Sequence, residues 1–595
     1  MVIILSSYLE ILKFNLYKLI SMRKIYFQVI AFIIPVCMLL SIESCKKGGF
    51  LAPTTTSNLT EGTVFKDSSN TESFLANIYS QIGFPVNVTR FGNGGLDAAS
   101  DESEVGNTNI SLASDWATGT INAGIVSDDA FNICYSNIRA VNQVLKNIHN
   151  TPVTAYTKSQ ITSEARFLRA YYYFILLEHY GGMPLIGDTL YTYTDHIPVK
   201  RSNFADCVNY IVSECNAAAA ALPSAQTGLG YGRASRGSCQ ALISRTLLYA
   251  ASPLFNGTSQ ATGSLASIVG YPTADQNRWK LAEDAAAALI GSESYSLNID
   301  NSTPGKGFQS LFPMRYNTEY ILPLMRPTGN WDLEGVWDPP SRSGSGGGFP
   351  YQEIVDAFPM SNGKAITDPT SGYDSNNPYA NRDPRMGYSI IHDQTSLIIR
   401  LGTGFSPVNI YLGTYNGIPA GSDAVYAGTP TGYYTNKMLD PNAASTDATH
   451  NSSRCLPIFR YAEILLNYAE AANEFEGPTA NVYGAIEQIR MRAGLNPYQL
   501  PAGLSKEQMR AAIQNERQIE LAFEGHRFWD VRRWMIADQT ENQVMTGMEI
   551  TRTNTTASYR RFNVRKHNFR KAMYLWPIPQ GELAKSTDLV QNPGY

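Results

Sequence analysis

Charge is scarce in this chain. Lysine, arginine, aspartate and glutamate make up 16% of 595 residues, and the formal net charge is -4. No polybasic run occurs, which argues against a nucleic-acid partner. Signatures of catalysis are missing too: there is no H-E-x-x-H, no G-x-S-x-G, no P-loop and no G-x-G-x-x-G after a strand. The seven histidines never fall three or four residues apart, so no helical metal pair is expected, and neither is a cofactor. No C-x-x-C occurs among the seven cysteines. After Leu40 no run approaches the roughly 20 apolar residues of a membrane-spanning helix.

What is abundant is glycine (47), tyrosine (35) and, with seven tryptophans, flat aromatic surface. Such a chain reads as a folded body with long ordered loops, and its aromatic faces suit uncharged, hydroxyl-rich ligands. The start carries an export signal. Arg23 and Lys24 precede an apolar run over 25–40, then Ser41, Ile42, Glu43, Ser44 and Cys45. A basic start, a short apolar stretch and small residues before a cysteine read as a lipoprotein signal, with lipid on Cys45 tethering the body to a membrane. Met22 is the better start: residues 1–21 are read as a misassigned start, 22–44 as the signal peptide and 45–65 as a lipid tether and lead-in segment. Cys134, Cys207, Cys215, Cys239 and Cys455 remain in the body; odd in number, they are read as buried apolar residues.

Helical periodicity dominates two regions, 66–295 and 456–595. Apolar residues recur at steps of three and four over about 127–148, 159–180, 203–221, 234–251 and 277–290, with glycine or proline at most ends. Helices return at about 457–475, 481–493 and 505–523, the last opened by a Ser505/Gln508 capping box. A short helix follows through Trp529 and Trp534. Helices in pairs joined by short turns, each with an apolar stripe too wide to bury alone, follow tetratricopeptide-like stacking logic. Between the regions, 296–455 is rich in Gly, Pro, Asn, Asp, Ser and Tyr, with a helix candidate only near 351–358. Loops and short strands are expected there, and loops this long are usually functional.

Particular stretches carry a resemblance. They include Leu59-Thr60-Glu61-Gly62, 164–180 with Gly181-Gly182, Asn381-Arg382-Asp383-Pro384-Arg385, and Gly432-Tyr433-Tyr434 with Lys437. Arg460-Tyr461-Ala462-Glu463 follows, then Phe523-Glu524-Gly525-His526-Arg527-Phe528-Trp529-Asp530, Trp576-Pro577-Ile578-Pro579 and Asn592-Pro593-Gly594-Tyr595. Their joint order resembles the SusD/RagB family of Bacteroidetes surface lipoproteins, over nearly the whole chain after Cys45. The resemblance implies a mainly α fold of four tetratricopeptide-like helix pairs with a large loop-rich, mixed insertion. It also implies a non-catalytic protein on the outer membrane, facing the cell surface, that binds an oligosaccharide or similar nutrient and hands it to a SusC-type TonB-dependent transporter. A glycoside-cleaving enzyme and a helical-repeat interaction scaffold are the alternatives.

Candidate ligand residues lie in polar, glycine-rich stretches. Trp116, Trp331 and Trp337 stand off the helical stripes beside Asp or Asn, a pairing that offers a sugar both a stacking face and hydrogen bonds. Tyr316 and Arg315 are of the same kind. Asn93, a further ligand candidate, lies within a flexible glycine run that Asp97 and Asp101 follow; with Glu102 and Glu104 these two read as a carboxylate rim, a calcium site, a hydrolytic pair or plain helix caps. Arg527, Asp530 and Arg533 look catalytic but are read as structural, as are Arg382, Asp383 and Arg385.

Overall fold

The three-and-four spacing of apolar residues becomes a stack of helical hairpins. The structure, a computed structural model, describes residues 61–595 except 107–110, 127–129, 193, 196, 198, 331, 400–403, 445–450 and 555. The expected signal segment and Cys45 lie outside the described residues. Among these residues, nine helices have thirteen residues or more: α1 Ser68–Ser80, α2 Ala130–Asn147, α3 Ala155–Tyr180, α4 Phe204–Ala219, α5 Arg236–Ala251, α6 Asn277–Ile290, α7 Tyr461–Glu476, α8 Ala480–Arg492 and α9 Lys506–Glu520. From α2 to α7 each helix packs on the next, and α7 meets both α8 and α9. The pairs are therefore α2/α3, α4/α5, α6/α7 and α8/α9, four as expected. No helix among the described residues is long and apolar enough to cross a membrane.

Local chemistry accounts for most boundaries. In α2, Cys134, Ile138, Val141 and Val144 fall on one stripe and are buried. Helix α3 is buried almost all round from Ser163 onward, which makes it the central element. The Thr154 side chain accepts the Thr157 N–H at its start. At α9 the Ser505/Gln508 box forms in both directions. Helix α1 is absent from the sequence reading, because its buried Thr71, Leu75 and Ile78 sit among polar residues. All five body cysteines are buried and none is in a disulfide.

The loop-rich region is the connection of the third hairpin, between Ile290 of α6 and Tyr461 of α7. Strand β1 (Tyr320–Leu324) pairs antiparallel with β4 (Leu456–Arg460), so the chain leaves and rejoins the stack side by side. The excursion has its own small core, including Phe308, Leu333, Trp337 and Phe349. The helix candidate at 351–358 is found as Gln352–Ala357. One large element has no counterpart in the sequence reading: a hairpin of β5 (Val544–Asn554) and β6 (Thr556–Lys566). It joins β2 (Leu412–Tyr415), parallel to β5, and β3 (Ile418–Pro419) in a sheet ordered β6-β5-β2-β3.

Buried ions lock the excursion to the stack. Arg460 at the end of β4 reaches Glu319 (2.9 Å), Glu520 (2.7 Å) and Glu524 (2.6 Å). Arg492 pairs with Glu319 (3.0 Å) and Glu520. Arg385 pairs with Asp383 (2.8 Å), Glu516 (2.6 Å) and Glu520 (2.9 Å), and Lys437 with Glu524 (2.7 Å). Arg382 instead donates to the carbonyls of Pro378, Val355 and Phe358. Asp530 receives Arg517 and Arg533, both buried. This chemistry fixes segments in place; it faces no solvent.

Candidate functional site

The structure sorts the sequence candidates by access. Trp116 lies in the short helix Leu112–Thr118 and is 2% exposed. Its ring stands edge-on to Phe528 at 5.1 Å and 4.6 Å from Trp576, so no face is left for a ligand. The expectation of a stacking platform is corrected here: the side chain is apolar enough to join the aromatic core beneath the loops. Trp337, at the end of helix Asp332–Trp337, is 3% exposed and also belongs to a core. Its Nε1–H donates to the Asn93 carbonyl at 3.1 Å. Trp337 and Asn93 thus pin the glycine-rich loop onto the excursion.

The carboxylate rim is likewise internal. Asp97 is 6% exposed and accepts the Gly525 N–H at 2.9 Å. Asp101 is 3% exposed and accepts both prongs of Arg527, at 2.8 and 2.6 Å. Glu102 is fully buried and faces Asp97. Burial pushes Asp97 up to about 6, against the hydrogen bonds of Glu102 and Gly525. Burial and then the Asp97 charge push Glu102 well above the usual carboxylate range. Ion-paired or proton-sharing carboxyls beneath the surface cannot meet a sugar hydroxyl, so the rim reading is also corrected. No cluster of three or more metal-ligating side chains exists among the described residues.

Two candidates stay at the surface. Tyr316 is 61% exposed, and its ring lies 4.8 Å from that of Tyr231, tilted by 59°. Arg315 donates to the carbonyls of Arg326 (3.0 Å) and Ser453 (2.9 Å), which holds this corner rigid. Trp331 lies outside the described residues. Its neighbours are fixed: Asn330 exchanges backbone hydrogen bonds with Ser452, at 2.7 and 2.6 Å, and Asp332 pairs with Arg326.

Beside the Tyr231–Tyr316 pair opens a cleft of about 390 Å³, within the size range of small-molecule sites. It runs between α1 and the end of β1, with Leu75, Tyr79, Tyr231, Arg233, Leu324 and Met325 among its walls and Glu72 as its carboxylate. Gly232 has φ +90°, and a Cβ there would lie 2.2 Å from Met325 Cγ, so the turn needs glycine to pass so close to the wall. Behind the wall, Glu164 accepts the Tyr79 hydroxyl (2.7 Å) and Arg233 Nε–H (2.8 Å). Burial and then the Glu164 charge push the Tyr79 hydroxyl well up. Sequence reasoning missed Tyr79, Tyr231 and Arg233. The run Gly228-Leu229-Gly230-Tyr231-Gly232-Arg233, an aromatic and a cation among glycines between two helices, was the available signal.

A helical stack with a loop-built aromatic surface defines a binding protein of the helical-repeat class. The SusD family model matches residues 307–595, and a model described as starch-binding associating with outer membrane matches 63–248. The chain belongs to the SusD/RagB family. It is 31% identical over 158 residues to SusD-like protein P2 of Formosa agariphila, covering 26% of this chain and 28% of that protein. With SusD-like protein P25 of the same organism it shares 40% identity over 88 residues, covering 15% and 16%. The matches thus span less than a third of these curated relatives. A SusD-like protein from Bacteroides fragilis superposes with a TM-score of 0.73 at 25% identity, covering 90% of this chain and 98% of that one. A SusD-like carbohydrate binding protein from the same species gives 0.69 at 23%, covering 89% and 100%. A laminarin binding SusD-like protein gives 0.57 at 20%, covering 89% and 100%. At the two lower identities the likeness is one of fold.

Proposed function

We propose that this protein is a lipid-anchored outer-membrane lipoprotein that binds an oligosaccharide at the cell surface and passes it, uncleaved, to a SusC-type TonB-dependent transporter. The observation that carries the reading is the solvent-facing ring of Tyr316, braced on Tyr231 beside a cleft in a SusD-family body. The description of the matching family model supports a glycan ligand and an outer-membrane setting, and the carbohydrate- and laminarin-binding relatives support the ligand class. The cleft has one carboxylate in its lining, Glu72, whereas glycoside hydrolysis calls for two across the bond.

Calorimetry of the purified body against a glycan panel tests this. A neutral oligosaccharide is expected to bind, and Tyr316→Ala or Trp331→Ala to weaken it about tenfold with the melting temperature unchanged, since stacking supplies much of the affinity. Wild-type affinity in both variants overturns these positions, and release of shorter sugars on incubation overturns the non-catalytic reading. Cys45→Ser is expected to move the protein from the membrane to the soluble fraction and to abolish labelling with a fatty-acid probe. Continued membrane association counts against the anchor.

A further inference from the structure

One guanidinium in the cleft has an unused edge. Arg233 is held from behind: its Nε–H donates to Glu164, whose side chain is 4% exposed. Glu164 also takes the Tyr79 hydroxyl, and that hydroxyl accepts the Ala234 N–H at 2.9 Å. The plane of the guanidinium is therefore set before any ligand arrives. Its two Nη groups have no protein acceptor among the described residues, and the side chain is 37% exposed into the cleft. An arginine in this state presents parallel N–H donors in a rigid fork, matched to two neighbouring acceptor oxygens.

The rest of the cleft decides which oxygens. Glu72 is exposed at its edge, and its charge acts on both Arg233 and Glu164. One cation against two carboxylates leaves this corner net negative, so a carboxylate or sulfate on a ligand meets repulsion. An uncharged sugar instead finds a donor fork and an acceptor together, with Tyr231 and Met325 offering apolar surface to its C–H face. Resting on the glycan reading above, we propose that Arg233 and Glu72 form a specificity subsite for a neutral sugar residue. Arg233 donates to two adjacent hydroxyl oxygens, and Glu72 accepts a hydroxyl proton.

The test is calorimetry of wild type with neutral probes (maltoheptaose, laminarihexaose, xylohexaose) and anionic ones (oligogalacturonate, a sulfated carrageenan oligosaccharide). A neutral probe is expected to bind best. Arg233→Lys keeps the charge and a partner for Glu164 but loses the fork, and should weaken that probe at least tenfold; Glu72→Gln should weaken it several-fold. Partial O-methylation of the probe should weaken wild-type binding to the same degree, a control in which the protein is untouched. Unchanged affinity in Arg233→Lys while Tyr316→Ala weakens binding overturns the subsite and leaves the glycan reading standing. Preference for an anionic probe does the same. If wild type binds no probe of either charge, the glycan reading falls and the subsite with it.

Discussion

Replacing Arg460 by methionine is expected to remove about 3–5 kcal/mol of stability, the usual cost of leaving buried charges without their partner. The Arg460 side chain is 2% exposed and serves three carboxylates, Glu319, Glu520 and Glu524, and the Glu520 carbonyl. Burial pushes Glu520 up, but Arg492, Arg460 and Arg385 outweigh it and hold the carboxyl well below the usual range. Glu524 follows the same pattern, with Arg460 the leading counter-charge. Loss of Arg460 removes the counter-ion shared by β1, β4 and the end of α9. A fall in the urea midpoint, with hydrogen exchange rising first in Tyr320–Leu324 and Leu456–Arg460, checks the claim. Adding Glu524→Gln should recover part of the loss, because it withdraws one of the stranded charges. A midpoint equal to wild type would show that the neighbouring cations suffice.

The second large effect is a dependence on pH. Asp97 and Glu102 face each other in the interior, and a hydrogen bond between two carboxyls requires a proton. Their charged surroundings are Asp101, Arg527, Lys437 and Glu524. Asp97 titrates near 3.8 when unfolded and at about 6 when folded. Its contribution is therefore complete below about pH 4 and is lost as pH rises through about 6, in the order of 3 kcal/mol for a shift of this size. Asp97→Asn keeps the oxygen that accepts the Gly525 N–H and gains an N–H for Glu102. The variant should be more stable than wild type at pH 8 by about 1–3 kcal/mol and nearly equal to it at pH 4. Denaturant midpoints across that range decide it, and parallel pH profiles for the two proteins rule the shared proton out.

The helical part of the fold was legible because burial imposes a period on it. In α2, α8 and α9 the apolar stripe follows the helix repeat, and the Ser505 box marks a start whatever surrounds it. Helix α1 was not legible, since it buries few residues and Thr71 is one of them. The hairpin of β5 and β6 was hidden for a related reason. Exposed Arg560 and Arg561 are adjacent in β6, which blurs the alternation that would betray a half-buried strand. The binding site was legible as a zone and not as residues. An isolated tryptophan among polar neighbours looks the same in sequence whether its ring faces water, like Tyr316, or inward, like Trp116 and Trp337. Only the partners, Phe528 and Trp576 in one case and the Asn93 carbonyl in the other, tell them apart.

The split third hairpin sets an order of assembly. Trp279 and Ala282 of α6 pack against Ala471 of α7, yet that partner leaves the ribosome only after the whole intervening excursion has emerged. Until then a greasy flank of α6 stands uncovered, and the chain must wait on a contact between residues far apart in sequence, the kind that slows folding. A prematurely ended chain is left with that flank of α6 uncovered, a half-built solenoid open to association.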